Sequence, residues 1–338
     1  MHVDVSAGSF EGAVEAKSRM ETALYEIKRV IAGQDAMLER VLVALLAGGH
    51  LLIEGVPGLA KTLTIKTVAR VLGGIFRRIQ FTPDLVPSDL VGTRIYKPGS
   101  ERFDTELGPV FCNFLLADEI NRAPAKVQSA LLEVMQERQV TIGETTYPVP
   151  SPFLVMATQN PIESDGTYPL PEAQVDRFML KVVVGYPSLG EEVTVVERSL
   201  ADEPMIRQIL TPEELLDLQL MTSAVYVDPA ISRYAVNLVT ATRALDQAGL
   251  SDLAPYVAYG ASPRGAINLV HGARALALLR GRSYALPHDV NDLAHDVLRH
   301  RLVLTYQALS EEFSGESIID AVLGAVPLPQ IELARETA

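Results

Sequence analysis

The stretch Leu51-Leu52-Ile53-Glu54-Gly55-Val56-Pro57-Gly58-Leu59-Ala60-Lys61-Thr62 is a short apolar strand that runs into a glycine-bearing turn ending in Lys-Thr. Turns of this composition cradle the phosphates of a nucleoside triphosphate, because small residues let successive backbone N–H groups curl toward phosphate oxygens and the following helix adds its partial positive charge. Gly55, Val56, Pro57, Gly58, Leu59, Ala60, Lys61 and Thr62 are therefore candidate nucleotide contacts. Lys61 is expected to meet the β and γ phosphates, and the Thr62 hydroxyl to sit on the Mg2+ that bridges them. Where the GxxxxGK[ST] pattern has its second glycine this chain has Ala60. Its expected place is the start of the helix, with negative φ, where alanine is comfortable. Read alone, Gly55 and Gly58 also fit an ordinary strand-turn-helix.

Outward from this turn, short apolar runs alternate with helical patterns: Leu51–Glu54, Phe76–Phe81, Phe114–Asp118, Phe153–Thr158 and Phe178–Val184. This rhythm predicts a five-stranded parallel sheet covered by helices. After Pro124, the residues Val127, Ala130, Leu131, Val134 and Met135 share one helical face that should pack on the sheet. Prolines, glycines and β-formers between Phe81 and Phe111, and between Arg138 and Pro150, predict inserted hairpins or loops. From about Tyr186 only helical periodicity remains: Glu191–Leu200, Pro212–Met221, Pro229–Ala248, Pro263–Arg280 and Pro287–Arg299. We expect an α/β core over residues 1–186, opening with a helical segment, and an all-helical domain over 187–338, joined at a hinge near Tyr186-Pro187-Ser188. The tail after Pro327 is expected to be loosely held.

Composition narrows the function. With 29 basic and 42 acidic side chains in 338 residues, the net charge of −13 opposes generic attraction to DNA, RNA or an anionic membrane surface. Apolar runs such as Val41 to Ala47 fall far short of the ~20 residues that span a bilayer. The first residues carry Asp4, Glu11 and Glu15 and lack the features of a signal peptide, so a cytoplasmic location is expected. The single Cys112 reads as a small buried hydrophobe. His288, His295 and His300 form no HExxH pair and have no cysteine cluster beside them, so no protein-bound zinc is expected.

The third run ends in Asp118-Glu119. Asp118 is expected to support Mg2+, often through water, and Glu119 to orient and polarise the attacking water. A lone Asp-Glu is more often a solvated turn; the preceding phosphate loop reverses that preference. The fourth run leads to Asn160, a neutral amide able to sense the terminal phosphate, although Asn before Pro is also a common turn starter. Phe81, Phe103, Phe111 and Tyr147 lie in or beside the insertions, where aromatics could grip a polypeptide or simply pack the insertions down.

Taken together, GVPGLAKT at Gly55–Thr62, FTPDLVPSDLVGT at Phe81–Thr93, LGPVF at Leu107–Phe111 and LLADEINRAPAKVQSALLEVMQER at Leu115–Arg138 resemble the MoxR family of AAA+ ATPases. MATQNPIE at Met156–Glu163, PEAQVDRF at Pro171–Phe178 and ASPRG at Ala261–Gly265 extend the resemblance over most of the chain, and Ala60 is no departure within that family. The resemblance implies an AAA+ core followed by a helical lid, ATP with Mg2+ as cofactors, and Mg-dependent ATP hydrolysis. It implies adenine contacts at Gly33 and Gln34, sensor 1 at Asn160, an arginine finger at Arg177 and sensor 2 at Arg264; Arg122 receives no role. It further implies a homo-oligomeric ring, usually a hexamer, that remodels or matures other proteins, often with a von Willebrand factor A-type partner. Two rivals are a nucleic-acid-acting AAA+ motor, which the acidic balance disfavours, and an ATP-gated scaffold with negligible turnover.

Overall fold

The computed structural model describes residues 7–56, 58–99, 101–161, 166–202 and 204–331. Five parallel strands form one sheet: β1 (Leu51–Glu54), β2 (Phe76–Gln80), β3 (Phe114–Asp118), β4 (Leu154–Gln159) and β5 (Leu180–Val183). Their spatial order is β2-β3-β4-β1-β5. The three central strands are covered on both faces, which is why they read as unbroken apolar runs. Edge strand β2 instead buries only Ile79 fully and leaves Arg77, Arg78 and Gln80 exposed. The helix Ala125–Glu137 lays Val127, Leu131, Val134 and Met135 into the core, as its periodicity predicts. In-register pairing sets Glu54 beside Gln159 and Gln80 beside Asp118, so the carboxyl ends of neighbouring strands converge at one edge of the sheet.

Both insertions are antiparallel hairpins. The first pairs Gly92–Lys97 with Arg102–Leu107, and the second pairs Gln139–Ile142 with Thr145–Pro148. At the foot of the first, Gly92 has φ 98° and its backbone passes so close to Glu106 and Gly108 that a Cβ would collide with them. Arg94 from the first hairpin covers Gly143 at the turn of the second.

The chain divides into two compact units, one spanning Ser18–Gln219 and the other combining the residues up to Lys17 with those from Leu220. Residues 187–219 fall within the first unit. Ser188 stops the chain's extended course by capping helix Leu189–Leu200, its amide donating to Glu191 Oε2 at 2.7 Å. Beyond that helix, the amides of Ile209 and Leu210 donate to the Val71 carbonyl, and the Arg207 amide donates to buried Glu26 at 2.9 Å.

The second unit is built on helices Pro229–Arg243, Pro263–Leu279, Pro287–Leu298 and Gly315–Ala325. Three of these begin with proline, whose missing donor costs nothing in a first turn. Asp228 and Ser262 cap two of them by accepting amides of Ala230 and Arg264. Leu238, Leu269, Leu276, Leu293, Val297 and Ile318 are fully buried in this unit. It differs from the expectation in two details. A short antiparallel pair joins Val257–Tyr259 to Val303–Leu304. The helix from Pro229 stops at Arg243 and not Ala248, because Ala244 leaves the helical region and the Leu250 amide closes a turn on Leu245. Residues 332–338 of the tail lie outside the described residues. Among the described residues, no helix is long and apolar enough to cross a membrane.

Candidate active site

Between Glu54 and Lys61 the backbone makes two left-handed turns. Gly58 has φ 87°, a conformation open to glycine at no steric cost. Ala60 has φ 55° and ψ 16°, so the expectation of a negative φ is overturned. It is the residue capping helix Lys61–Val71, not a member of its first turn, and the chain must turn left-handed there to enter the helix. Its carbonyl still accepts the first helical bond, from the Thr64 amide at 2.8 Å. The Cβ in that conformation stores about 1–2 kcal/mol. Gly55 runs so close to β5 that a Cβ would meet the Val184 carbonyl at 2.7 Å. Pro57 lies outside the described residues. Lys61 Nζ donates to the Gly55 carbonyl at 2.6 Å across the loop. Partial burial lowers its affinity for a proton, and the nearby charges of Asp118 and Glu119 oppose that effect.

Asp118 ends β3, and Glu119 follows it with φ 56°, a third left-handed residue at one site. The hydroxyl of Thr158 on β4 donates to Asp118 Oδ1 at 2.6 Å and accepts the Glu119 amide at 2.8 Å. Arg78 on β2 donates to Asp118 Oδ2 through Nε at 3.1 Å and Nη2 at 2.7 Å. Its Nη2 also reaches Gln80 Oε1 at 2.7 Å, while Gln80 Nε2 donates to Glu119 Oε2 at 2.8 Å. Arg122 Nη1 donates to the same Glu119 oxygen at 3.1 Å. Both acids are thus held by side chains of the sheet and of the turn after β3.

A cavity of about 440 Å³ opens over this arrangement. It brings together Gly58, Leu59, Ala60, Lys61, Thr62, Asp118, Glu119 and the buried Asn160, all expected from the sequence. Gly55 and Val56 lead into the turn but do not line the cavity. Thr62 and Asp118 offer hard oxygen donors beside a helix N-terminus and a lysine, a set that suits Mg2+ on a triphosphate. Arg78, Gln80 and Thr158 also line it and were not among the expected site residues.

The other expected residues lie elsewhere. Gly33 and Gln34 are both left-handed, with φ 67° and 59°. Gly33 borders a second cavity of about 240 Å³ that also draws on Asp35, Glu191 and Arg198, whereas Gln34 does not line it and donates to the Gly185 carbonyl at 3.3 Å. Arg177 follows helix Glu172–Val175, just before β5, and does not line the cavity over Lys61. Its Nε is buried and has no hydrogen-bond acceptor among the described residues. Arg264 is exposed at the second position of helix Pro263–Leu279, in the other compact unit.

Burial sorts the remaining candidates. Cys112 is fully buried and its thiol pKa is pushed up to about 12, chiefly by desolvation, so it is inert packing. Phe81 is buried, and Phe111 and Tyr147 meet edge-on at 6.4 Å against the core. Phe103 alone of the four is exposed, with the Tyr96 ring 5.3 Å away and Arg94 5.0 Å from its centre. His295 is engaged by Glu316 and Asp320.

Residues 50–180 match the ATPase family associated with various cellular activities (AAA), and residues 251–322 match the AAA lid domain. The chain is 58% identical over 324 residues to Chaperone MoxR1 of Mycobacterium tuberculosis, covering 96% of this chain and 86% of that protein. It is 34% identical over 336 residues to Protein MoxR of Paracoccus denitrificans, covering 92% and 97% respectively. A crystal structure from Cytophaga hutchinsonii, of a protein provisionally described as an ATPase, superposes with a TM-score of 0.90 at 46% identity over 95% of this chain and 98% of that one. The chain belongs to the MoxR family of AAA+ ATPases.

Proposed function

We propose that this protein hydrolyses ATP with Mg2+ and uses the cycle to remodel or mature other proteins as a homo-oligomeric ring. The observation that carries this reading is the convergence of Lys61, Thr62, Asp118, Glu119 and Asn160 on one cavity. Lys61 and the first-turn amides of its helix bind the phosphates, and Thr62 and Asp118 hold the metal, which when bound neutralises phosphate charge. Glu119 orients the attacking water, and the Asn160 amide positions the terminal phosphate without adding charge. Gly33 and Gln34 form the turn proposed to lie near the adenine, and Arg264 is proposed to couple the lid to the nucleotide.

Arg177 stands away from its own chain's phosphate cavity, which supports a role in the site of a neighbouring subunit. An arginine supplied this way is typically worth about 10³–10⁵ in rate. The ring is proposed to be a hexamer, its clients to be proteins, and its partner to carry a von Willebrand factor A-type domain. These three proposals rest on family membership, and the relative named as a chaperone supports the second.

The deciding experiment measures ATPase activity across a concentration series, with particle size followed by light scattering. Specific activity should rise with assembly. Mixing an Arg177→Ala chain with a Lys61→Ala chain should restore part of the activity through mixed interfaces. A monomer hydrolysing at full rate, or mixtures with no recovery, would reject the shared site. Strong stimulation by DNA would instead favour a nucleic-acid motor.

A further inference from the structure

Resting on the nucleotide-site reading above, we infer that Arg78 is a built-in competitor of the divalent cation for Asp118: its guanidinium pairs with the carboxylate expected to support the metal and withdraws when metal-nucleotide binds. The geometry is explicit. Asp118 lines the cavity, and its Oδ1 takes the Thr158 hydroxyl at 2.6 Å. Two nitrogens of Arg78 converge on Oδ2, at 2.7 and 3.1 Å. A cation held by Asp118, directly or through water, would stand near the Arg78 charge, and like charges that close repel one another even in a partly wet site. Guanidinium and metal therefore compete for Asp118.

Exposure decides whether this contact is a lock or a placeholder. The Arg78 side chain is 47% exposed and that of Asp118 is 15% exposed. Pairs this wet hold weakly, so the contact lowers apparent metal affinity by about fivefold and does not forbid binding. Arg78 sits on edge strand β2, where Arg77 and Gln80 are also exposed, and its other hydrogen bond among the described residues is to Gln80. Withdrawal therefore requires only a rotamer change into solvent. In the meantime the arginine neutralises and orients Asp118, so the carboxylate is poised before any metal arrives. Release of Arg78 also frees Gln80, which links Asp118 occupancy to the hydrogen bond on Glu119.

The test is equilibrium binding of a fluorescent ATP analogue to the full chain, in excess Mg2+ and in EDTA, for wild type, Arg78→Gln and Arg78→Lys. For Arg78→Gln the ratio of the Mg2+ affinity to the EDTA affinity should rise about fivefold, with the EDTA affinity unchanged. Arg78→Lys keeps the competing charge and should leave the ratio within about twofold of wild type. Weaker binding of the Gln variant in both conditions would make Arg78 a phosphate ligand and overturn the inference. An unchanged ratio, or an equal rise in the Gln and Lys variants, would overturn it as well. Failure of the wild type itself to bind the analogue would reject the nucleotide site, a different result from all of these.

Discussion

Thr158 and Asp118 meet at 2.6 Å across the β3–β4 boundary, hydroxyl to carboxylate, and the same hydroxyl receives the amide of Glu119. One side chain on a neighbouring strand therefore sets the orientation of both acids. Thr158→Val keeps the shape but removes both bonds, and ATP turnover should fall at least about tenfold while nucleotide binding through Lys61 persists. Thr158→Ser restores the hydroxyl and should stay within about threefold of wild type. Steady-state kinetics on the two variants decides this; a loss in Thr158→Ser as large as in Thr158→Val would show that the hydroxyl alone does not set the acids.

Glu119→Gln retains size and an acceptor oxygen but cannot carry the negative charge that polarises water. ATP binding should be preserved and turnover reduced by at least about a hundredfold. Binding of a fluorescent nucleotide together with phosphate release supplies both readouts. Unchanged turnover would remove Glu119 from its assigned role.

Ala60 holds a conformation that costs a Cβ-bearing residue about 1–2 kcal/mol. Replacing it with glycine relieves that strain and loosens the unfolded chain by about 0.5–1 kcal/mol. The net expectation for Ala60→Gly is a stabilisation of about 0.5–1 kcal/mol, seen as a higher urea midpoint at constant slope. A lower midpoint would show that the strain at Ala60 is smaller than the cost of glycine in the unfolded chain.

His50 gives the fold a pH dependence with a definite sign. It is buried, accepts the Val155 amide at Nδ1 at 3.0 Å, and lies 3.2 Å from the Met135 carbonyl through Nε2. Burial, reinforced by the nearby charge of Arg138, lowers its pKa to about 3. Between the ordinary value of 6.5 and about 3, the unfolded chain takes up a proton that the folded chain refuses. This contribution is complete above pH 6.5 and is lost as the pH falls, at a slope approaching about 1.4 kcal/mol per pH unit. Denaturation curves from pH 4 to 7 should show wild type losing stability more steeply than His50→Asn; parallel curves would exclude His50 as the source.

The five strands were legible because a buried parallel sheet forces unbroken apolar runs, and β1 and β3 begin and end where the pattern placed them. The acids and the lysine were legible because phosphate chemistry narrows the choice of residue at fixed offsets from those strands. Arg78 and Gln80 were not. In the sequence they are polar positions in Phe76-Arg77-Arg78-Ile79-Gln80, and only the strand order, which sets Gln80 in register with Asp118, turns them toward the acids. Alternation around Ile79 was the available signal, since it marks an edge strand with one polar side. Thr158 was hidden in the same way, because an apolar run reveals burial but not which hydroxyl faces a neighbour's carboxylate. Ala60 misled because local preference favours negative φ, and the path from β1 into its helix overrides that preference.

The first hairpin is anchored at its foot, where Gly92 and Gly108 cross without room for side chains, yet from Thr93 to Asp104 every described residue faces solvent. Interior packing therefore places no demand on the composition of its tip. Mutations there can accumulate without unfolding the sheet beneath, and the hairpin can be rewritten as an interchangeable fitting on an otherwise unaltered engine.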